Sequence, residues 1–319
     1  MDAYAQWRRR LLEPRVYQNL VQEILRREGL GSEGRIVAVG SGSSAIFEVP
    51  ESPYLVKILS PFDEGAQRRE VRALSRVAGV EGLAVPRVLG AGEVFVDEAH
   101  TYLIMTRLAG RSLAEARQDL SDDDALRLAV DLGALVKRLH RIEPEPVDEA
   151  EASWKRFVDE RLAFCRTWPE ELLLPPCLEE GALAFLAEHE EFLCEGPLVL
   201  LHADLKAEHI LVNEENGEWG LSGIIDFGDS FWGPPTYDFV VLYLDALGGR
   251  RVLFDAFAEG YAGGDVGVAK RWLVWALLHR FPFLGHCGPT VWGEGALESV
   301  EGLMEHCKPR STPPPVREI

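Results

Sequence analysis

The stretch "LVLLHADLKAEHILVN", residues 198–213, decides the fold. Two apolar runs, Leu198 to Leu201 and Ile210 to Val212, read as short strands. Between them stand His202, Asp204, Lys206, Glu208 and His209, five ionisable groups within eight residues. Charged side chains next to buried strands are costly unless something holds them or uses them. A second stretch, "GIIDFGDS" at residues 223–230, ends an apolar run in Asp226, Phe227 and Gly228. The two stretches together predict a hairpin whose loops bring Asp204 and Asp226 to one end. Neighbouring carboxylates repel unless a cation lies beside them, and a hard divalent ion with oxygen ligands suits such a pair.

Working outward, residues 35–60 read as strands around a Gly/Ser turn: "RIVAVG", "SGSS", "AIFEVP" and "SPYLVKIL". The run "PFDEGAQRREVRALSRVAG" has helical spacing, with Val71, Leu74 and Val77 on one side. "RVLGAGEVFV" and "TYLIMTRL" follow as two more strands, and residues 4–29 read as a helix ahead of them all. From "AGRSL" the pattern turns helical. "SDDDALRLAVDLGALVKRLHRI" predicts a helix capped by Ser121 or an adjacent Asp, with Leu126, Val130, Leu132, Leu135, Val136 and Leu139 as its buried stripe. "EPEPVDEAE" reads as a solvated linker, residues 151–166 and 178–193 as further helices, and the stretch from Tyr237 to about 307 as mostly helical, with a loose tail. The class expected is α+β, a small β-rich part followed by a larger, mainly helical one with a strand–loop–strand unit embedded in it.

The 319 residues suffice for two such parts and a sizeable core. The net charge of −19 is unevenly placed: residues 1–108 carry 14 basic and 14 acidic residues, residues 109–319 carry 19 and 38. That balance argues against a groove for nucleic acid. The acidic half would concentrate a cationic small molecule, or it serves only to keep the surface soluble. No apolar run reaches the length of a membrane span, and the N-terminus lacks the apolar core of a secretory signal. Five scattered cysteines without a C-x-x-C spacing fit a reduced, cytoplasmic chain. A monomer is the default expectation.

In order and spacing, these segments make the chain resemble the aminoglycoside phosphotransferase and choline kinase superfamily, which shares the bilobal protein-kinase fold. "LHADLKAEHILV" resembles its catalytic loop, "IIDFGDSFWGPPTYDFVVLY" its metal-binding strand and the helix after it, "YLIMTRLAGRSL" its hinge, and "DLGALVKRLHRI" the helix that follows. The resemblance covers roughly residues 35–285. It implies an N-terminal nucleotide-binding lobe over 1–107 and a C-terminal catalytic and acceptor-binding lobe over 108–319, with 108–112 as hinge.

The resemblance also implies roles. Asp204 would orient an acceptor hydroxyl and take its proton, and Asp226 would hold Mg²⁺ against the phosphates of ATP or GTP. His209 stands where the family most often has Asn. Imidazole is a poorer partner for Mg²⁺ than an amide oxygen, yet His209 is kept as a metal ligand. Lys57, inside the apolar strand "YLVKIL", would grip the phosphates and pair with Glu70. Gly40, Ser41, Gly42 and Ser43 would form a phosphate-covering flap, although the pattern is G-x-G-x-x-A and by itself describes an ordinary hairpin turn. Met105 to Leu108, with Met105 and Arg107 as contacts, would meet the purine through backbone groups. His202 is expected to pack the loop and Asp238 to bind its backbone. Asp229 would face the acceptor pocket or serve as a cap, and Lys206 and Glu208 are read as exposed. His140, His189, His279, His286 and His306 have no metal-ligand spacing, and the C-terminal tryptophans and Phe283 read as core.

The function expected is transfer of the γ-phosphate of ATP or GTP to a hydroxyl of an aminoglycoside-like acceptor. Two alternatives stand beside it. One keeps the chemistry with a choline, sugar, amino-alcohol or macrolide acceptor. The other is a catalytically silent nucleotide-binding module, with His209 marking a lost metal site. Lys57, Asp204 and Asp226 together weigh against silence.

Overall fold

Pro14 divides the helix expected over residues 4–29 into α1 (Ala3–Leu11) and α2 (Pro14–Arg27). Proline has no N–H to donate and is tolerated only in the first turn, so one helix ends and the next begins there. The computed structural model describes residues 3–31, 35–39, 44–63, 65–144, 146–193, 196–263, 269–293 and 297–307. These form two compact units. The first comprises residues 1–111, 211–213 and 222–231, the second 112–210, 214–221 and 232–319.

In the first unit, β1 (Val37–Val39), β2 (Ala45–Glu48), β3 (Tyr54–Ile58), β4 (Val88–Val96) and β5 (Glu98–Thr106) form an antiparallel sheet of order β1-β2-β3-β5-β4. The register sets Lys57 in the central strand, opposite Ile46 on one side and Leu103 on the other. Leu20, Val21, Ile24 and Leu25 of α2 pack with Phe47, Val56 and Ile104 of the sheet. Between β3 and β4 lies α3 (Ala66–Val77), whose buried residues are Ala66, Glu70, Ala73, Leu74 and Val77. Glu70, Ala73, Leu74 and Val77 follow the i, i+3, i+4, i+7 rule of a helix face, so a carboxylate stands in an apolar stripe. Val71, expected on that face, is only half-buried.

Next along the chain are β6 (Arg111–Ser112), α4 (Leu113–Ala116) and α5 (Asp122–Leu139). Ser121 caps α5 in a reciprocal box: its hydroxyl accepts from the Asp124 N–H at 3.1 Å, and the Asp124 carboxylate accepts from the Ser121 N–H at 3.2 Å. The expected linker over 143–151 is cut short by α6 (Val147–Arg166), which begins inside it and where Asp148 and Glu149 suit the helix dipole. Then come α7 (Glu179–Glu188), β7 (Val199–Leu201), β8 (Ile210–Glu215), β9 (Glu218–Ile224), β10 (Phe231–Gly233), α8 (Asp238–Val241), α9 (Arg251–Ala262), α10 (Ala269–Leu278), α11 (Phe283–Trp292) and α12 (Val300–Cys307). β7 pairs with β10, and β6, β8 and β9 form a sheet in that order.

The buried stripe of α5 runs through Leu128, Leu132, Leu135, Val136 and Leu139, whereas Val130 is exposed. The reason is the approach of α9. A Cβ on Gly260 would lie 1.9 Å from the Val130 carbonyl oxygen, and one on Gly133 2.1 Å from that of Phe257. The two helices therefore meet backbone to backbone, which leaves no room for the Val130 side chain to turn inward. Trp272 and Trp275 are buried, as expected for core. No helix among the described residues is long and apolar enough to cross a membrane.

Candidate active site

β9 carries Asp226 to the first unit's ion cluster. The Ile224 N–H donates to the Ala84 carbonyl at 3.0 Å, and a Cβ on Gly223 would lie 2.7 Å from the same oxygen. Gly110, at φ +107°, is packed so that a Cβ would lie 2.6 Å from the Val212 carbonyl oxygen. Only glycine meets both demands. With the strand seated in this way, Lys57 Nζ lies 2.8 and 3.0 Å from the two Glu70 oxygens and 2.8 Å from Asp226 Oδ1. These contacts occupy the three donors of an ammonium.

Burial alone would push the Lys57 ammonium down, but Asp226 and Glu70 outweigh it and hold its pKa above the usual lysine value. Burial, with added repulsion from Asp226 and Asp229, pushes Glu70 above the usual carboxylate range in spite of Lys57. Asp226 sits at φ +65°, a conformation uncommon outside glycine but one that Asp tolerates. Phe227 beside it is fully buried. A Cβ on Gly228 would lie 3.4 Å from Asp226 Oδ1 and 3.6 Å from Glu70 Oε2, so this glycine rests directly on the cluster. Its carbonyl accepts from Arg69 Nε at 3.2 Å. Arg69 had no sequence signal beyond its place next to Glu70.

In the second unit Asp238 shapes the loop after β7. Its two carboxylate oxygens accept the His202 N–H at 2.9 Å and the Ala203 N–H at 2.7 Å. This is the contact expected of Asp238. Ala203 is held at φ +66°, a strained position for a residue with a Cβ. Asp238 Oδ2 also lies 3.0 Å from His140 Nε2, and His140 Nδ1 lies 3.0 Å from the Tyr261 hydroxyl. A carboxylate only accepts, so Nε2 donates and, in a neutral ring, Nδ1 accepts from the tyrosine. Burial would raise Asp238, but His140 and His202 outweigh it and hold the carboxyl below its usual range. His140, read as structural or surface from sequence alone, is thus a buried part of this network.

Asp204 is nearly buried. Lys206 Nζ lies 3.4 Å and His209 Nδ1 3.3 Å from Asp204 Oδ2, and His209 Nδ1 lies 2.8 Å from the Asp204 carbonyl oxygen. Lys206, expected to be exposed, is half-buried because its ammonium folds back onto Asp204. Glu208 is exposed, as expected. His202 is fully buried, with Nδ1 3.3 Å from the Asp204 amide.

Met105 is buried in β5, opposite Leu55 and Val88. The Arg107 N–H donates to the Pro53 carbonyl at 2.8 Å, and its guanidinium lies 3.1 Å from Glu48. Gly40, Ser41, Gly42 and Ser43 lie outside the described residues.

No group of three or more His, Cys, Asp or Glu among the described residues is placed to cage a metal alone. Mg²⁺ in nucleotide enzymes is held by one or two carboxylates, with substrate phosphates completing the shell. Asp226, whose side chain is 34% exposed, fits that use. His209 directs Nδ1 at two acceptors, which leaves the lone pair of a neutral ring on Nε2, the form in which imidazole binds metals.

Residues 35–273 match the phosphotransferase enzyme family, APH. Among solved structures, the GDP complex of wild-type aminoglycoside 2'-phosphotransferase-IIIa superposes with a TM-score of 0.62 at 16% identity, covering 91% of this chain and 97% of that one. The ternary complex of streptomycin, ATP and APH(2")-IIa gives 0.57 at 18% identity, with 86% and 95% covered. APH(3'')-Id from Streptomyces rimosus ATCC10970, with ADP and streptomycin, gives 0.57 at 19%, with 82% and 98% covered. These likenesses show a shared α+β, protein-kinase-like fold. A curated relative, lysine-specific demethylase JMJ21 of Arabidopsis thaliana, is 25% identical over 205 residues, which take in 50% of this chain and 21% of that protein. The chain thus spans about a fifth of that relative's length.

Proposed function

Because the chain belongs to the phosphotransferase enzyme family, we propose that it transfers the terminal phosphoryl group of ATP or GTP to a hydroxyl of a small, cationic, aminoglycoside-like acceptor. The observation that carries this reading is the buried Lys57 held by Glu70 and Asp226. A lysine kept charged in an apolar sheet, with a part-exposed carboxylate at its tip, is suited to polyanionic phosphate groups. A phosphate oxygen would share the donor that Lys57 gives Asp226.

Asp204 is the proposed base. Phosphoryl transfer has a loose transition state, so alignment of the acceptor matters more than strong basicity. The acceptor oxygen forms a bond to the γ-phosphorus as the bond to the β,γ-bridging oxygen breaks. ADP or GDP leaves, and the hydroxyl proton passes to the Asp204 carboxylate. Lys206 sets its ammonium 3.4 Å from that carboxylate. Asp226 and, through Nε2, His209 are the proposed ligands of Mg²⁺, which when bound neutralises phosphate charge. The cationic acceptor is supported by the excess of 19 acidic over basic residues that lies wholly within residues 109–319.

The test is Mg²⁺-dependent turnover of ATP and GTP against streptomycin, kanamycin, a macrolide, choline and simple sugars. Stimulation by an aminoglycoside that weakens with added salt supports the proposal. Stimulation by a neutral acceptor alone overturns the cationic part and keeps the kinase.

A further inference from the structure

The helix that begins at Asp238 holds the 202–209 loop a second time. Asp245, seven residues on, accepts the Ala207 N–H at 2.7 Å through Oδ1. The two carboxylates thus grip the loop at both ends: Asp238 before Asp204, Asp245 after it. The turn that bears Asp245, Leu242–Ala246, is a π-turn, a form that recurs at functional sites. The Leu247 N–H reaches back to Leu242, and Arg117 Nη2 braces the end of the turn on the carbonyls of Asp245 and Ala246 at 2.7 and 2.9 Å.

Ala207 opens the short turn Ala207–His209, and Lys206 before it provides no side-chain cap. The Asp245 carboxylate does that work from another element. The frame continues inside the loop, where the Asp204 carbonyl accepts both the Lys206 N–H at 2.9 Å and His209 Nδ1 at 2.8 Å. Fixing Ala207 therefore fixes the segment between Asp204 and His209.

We propose that Asp245 is a positioning residue for phosphoryl transfer, acting through the Ala207 amide to hold Asp204 and His209 in register. This rests on the proposed role of Asp204. Asp245 touches no reacting atom, so its loss acts on kcat rather than on nucleotide KM. Asp245→Ala is expected to lower kcat roughly ten- to a hundredfold, the range for losing a charge-assisted hydrogen bond. Asp245→Asn, which retains an acceptor oxygen, restores most of it.

A double-mutant cycle separates positioning from general damage. Lys206 has φ −87° and ψ 163°, the backbone a residue before proline prefers, and the first position of a helical turn accepts proline. Ala207→Pro thus deletes the N–H that needs Asp245 and stiffens the loop by itself. In the Ala207→Pro background, Asp245→Ala should change kcat by less than about twofold. Turnover is measured with ATP, Mg²⁺ and streptomycin, or as slow hydrolysis of ATP by water if streptomycin is not phosphorylated. Faster exchange of the Ala207 amide hydrogen in Asp245→Ala completes the expected result. Wild-type kcat in Asp245→Ala, or an equal loss in both backgrounds, overturns the inference. Full turnover in Asp204→Asn instead overturns the reading beneath it, so the two failures are distinguishable.

Discussion

Lys57 Nζ lies 2.8 Å from Asp226 Oδ1, although 169 residues separate the two along the chain. The contact exists because β9 delivers Asp226 to the sheet that holds Lys57, and because Glu70 turns into the same apolar interior from α3. Three charges with one positive member are tolerable there only together. The carboxylates keep the lysine charged, and the lysine offsets part of what burial costs the Glu70 carboxylate.

Removing the lysine alone should therefore be worse than removing the pair. Lys57→Met leaves Glu70 buried without a partner and is expected to cost about 3–5 kcal/mol. Lys57→Met with Glu70→Leu should recover most of that loss while remaining inactive. Urea denaturation of both variants checks it. Equal stability of the two would mean that Glu70 finds another partner.

Asp238 binds two buried amides and His140 through one carboxylate. Asp238→Ala strands both amides, each at about 1–3 kcal/mol. A combined loss of about 2–6 kcal/mol is expected by chemical denaturation, with Asp238→Asn falling between, because one of its two terminal atoms still accepts.

Ala203 is strained at φ +66° by those same two bonds. Ala203→Gly relieves a left-handed conformation that costs a Cβ-bearing residue about 1–2 kcal/mol and incurs a smaller entropic loss. A gain of about 0.5–1 kcal/mol in unfolding free energy is the expected net. A loss would mean that Ala203 is not strained.

His279 is 1% exposed, stacks on Tyr237 at 4.3 Å between ring centres and accepts the Phe281 N–H on Nδ1. Burial pushes its pKa down to about 3. The unfolded chain then takes up a proton near the usual histidine value that the folded chain refuses. Its contribution is unchanged above that value. Below it, stability should fall by about 1.4 kcal/mol per pH unit until the folded pKa is reached. His279→Phe should remove that part of the slope, read as the difference between the two stability curves from pH 7 to pH 4.

Much of this was readable in the sequence, and the failures have physical causes. A lysine inside an apolar strand, a glutamate in the following helix and an aspartate ending an apolar run each break a local rule, and all three meet in one cluster. The Ser121 cap was legible because capping depends on four adjacent residues. Less legible were contacts made across long separations. His140 and Tyr261 carry no motif, yet both serve Asp238. Lys206 looked exposed because nothing local says that it folds back onto Asp204. The exposure of Val130 follows from Gly133 and Gly260, whose pairing is a property of two helices over a hundred residues apart. Segment 222–231 belongs with the first unit because of glycines at 110 and 223, which pattern alone does not link to their neighbours.

The measurement that bears most directly on the central claim compares the wild-type chain with Asp204→Asn, scoring Mg²⁺-dependent, acceptor-stimulated nucleotide turnover beside nucleotide binding. The expected result is a fall in turnover of about 10²–10⁴-fold, the range for loss of a positioned general base, with nucleotide affinity nearly unchanged. Full turnover in Asp204→Asn, or no turnover in the wild type despite tight nucleotide binding, would contradict the account.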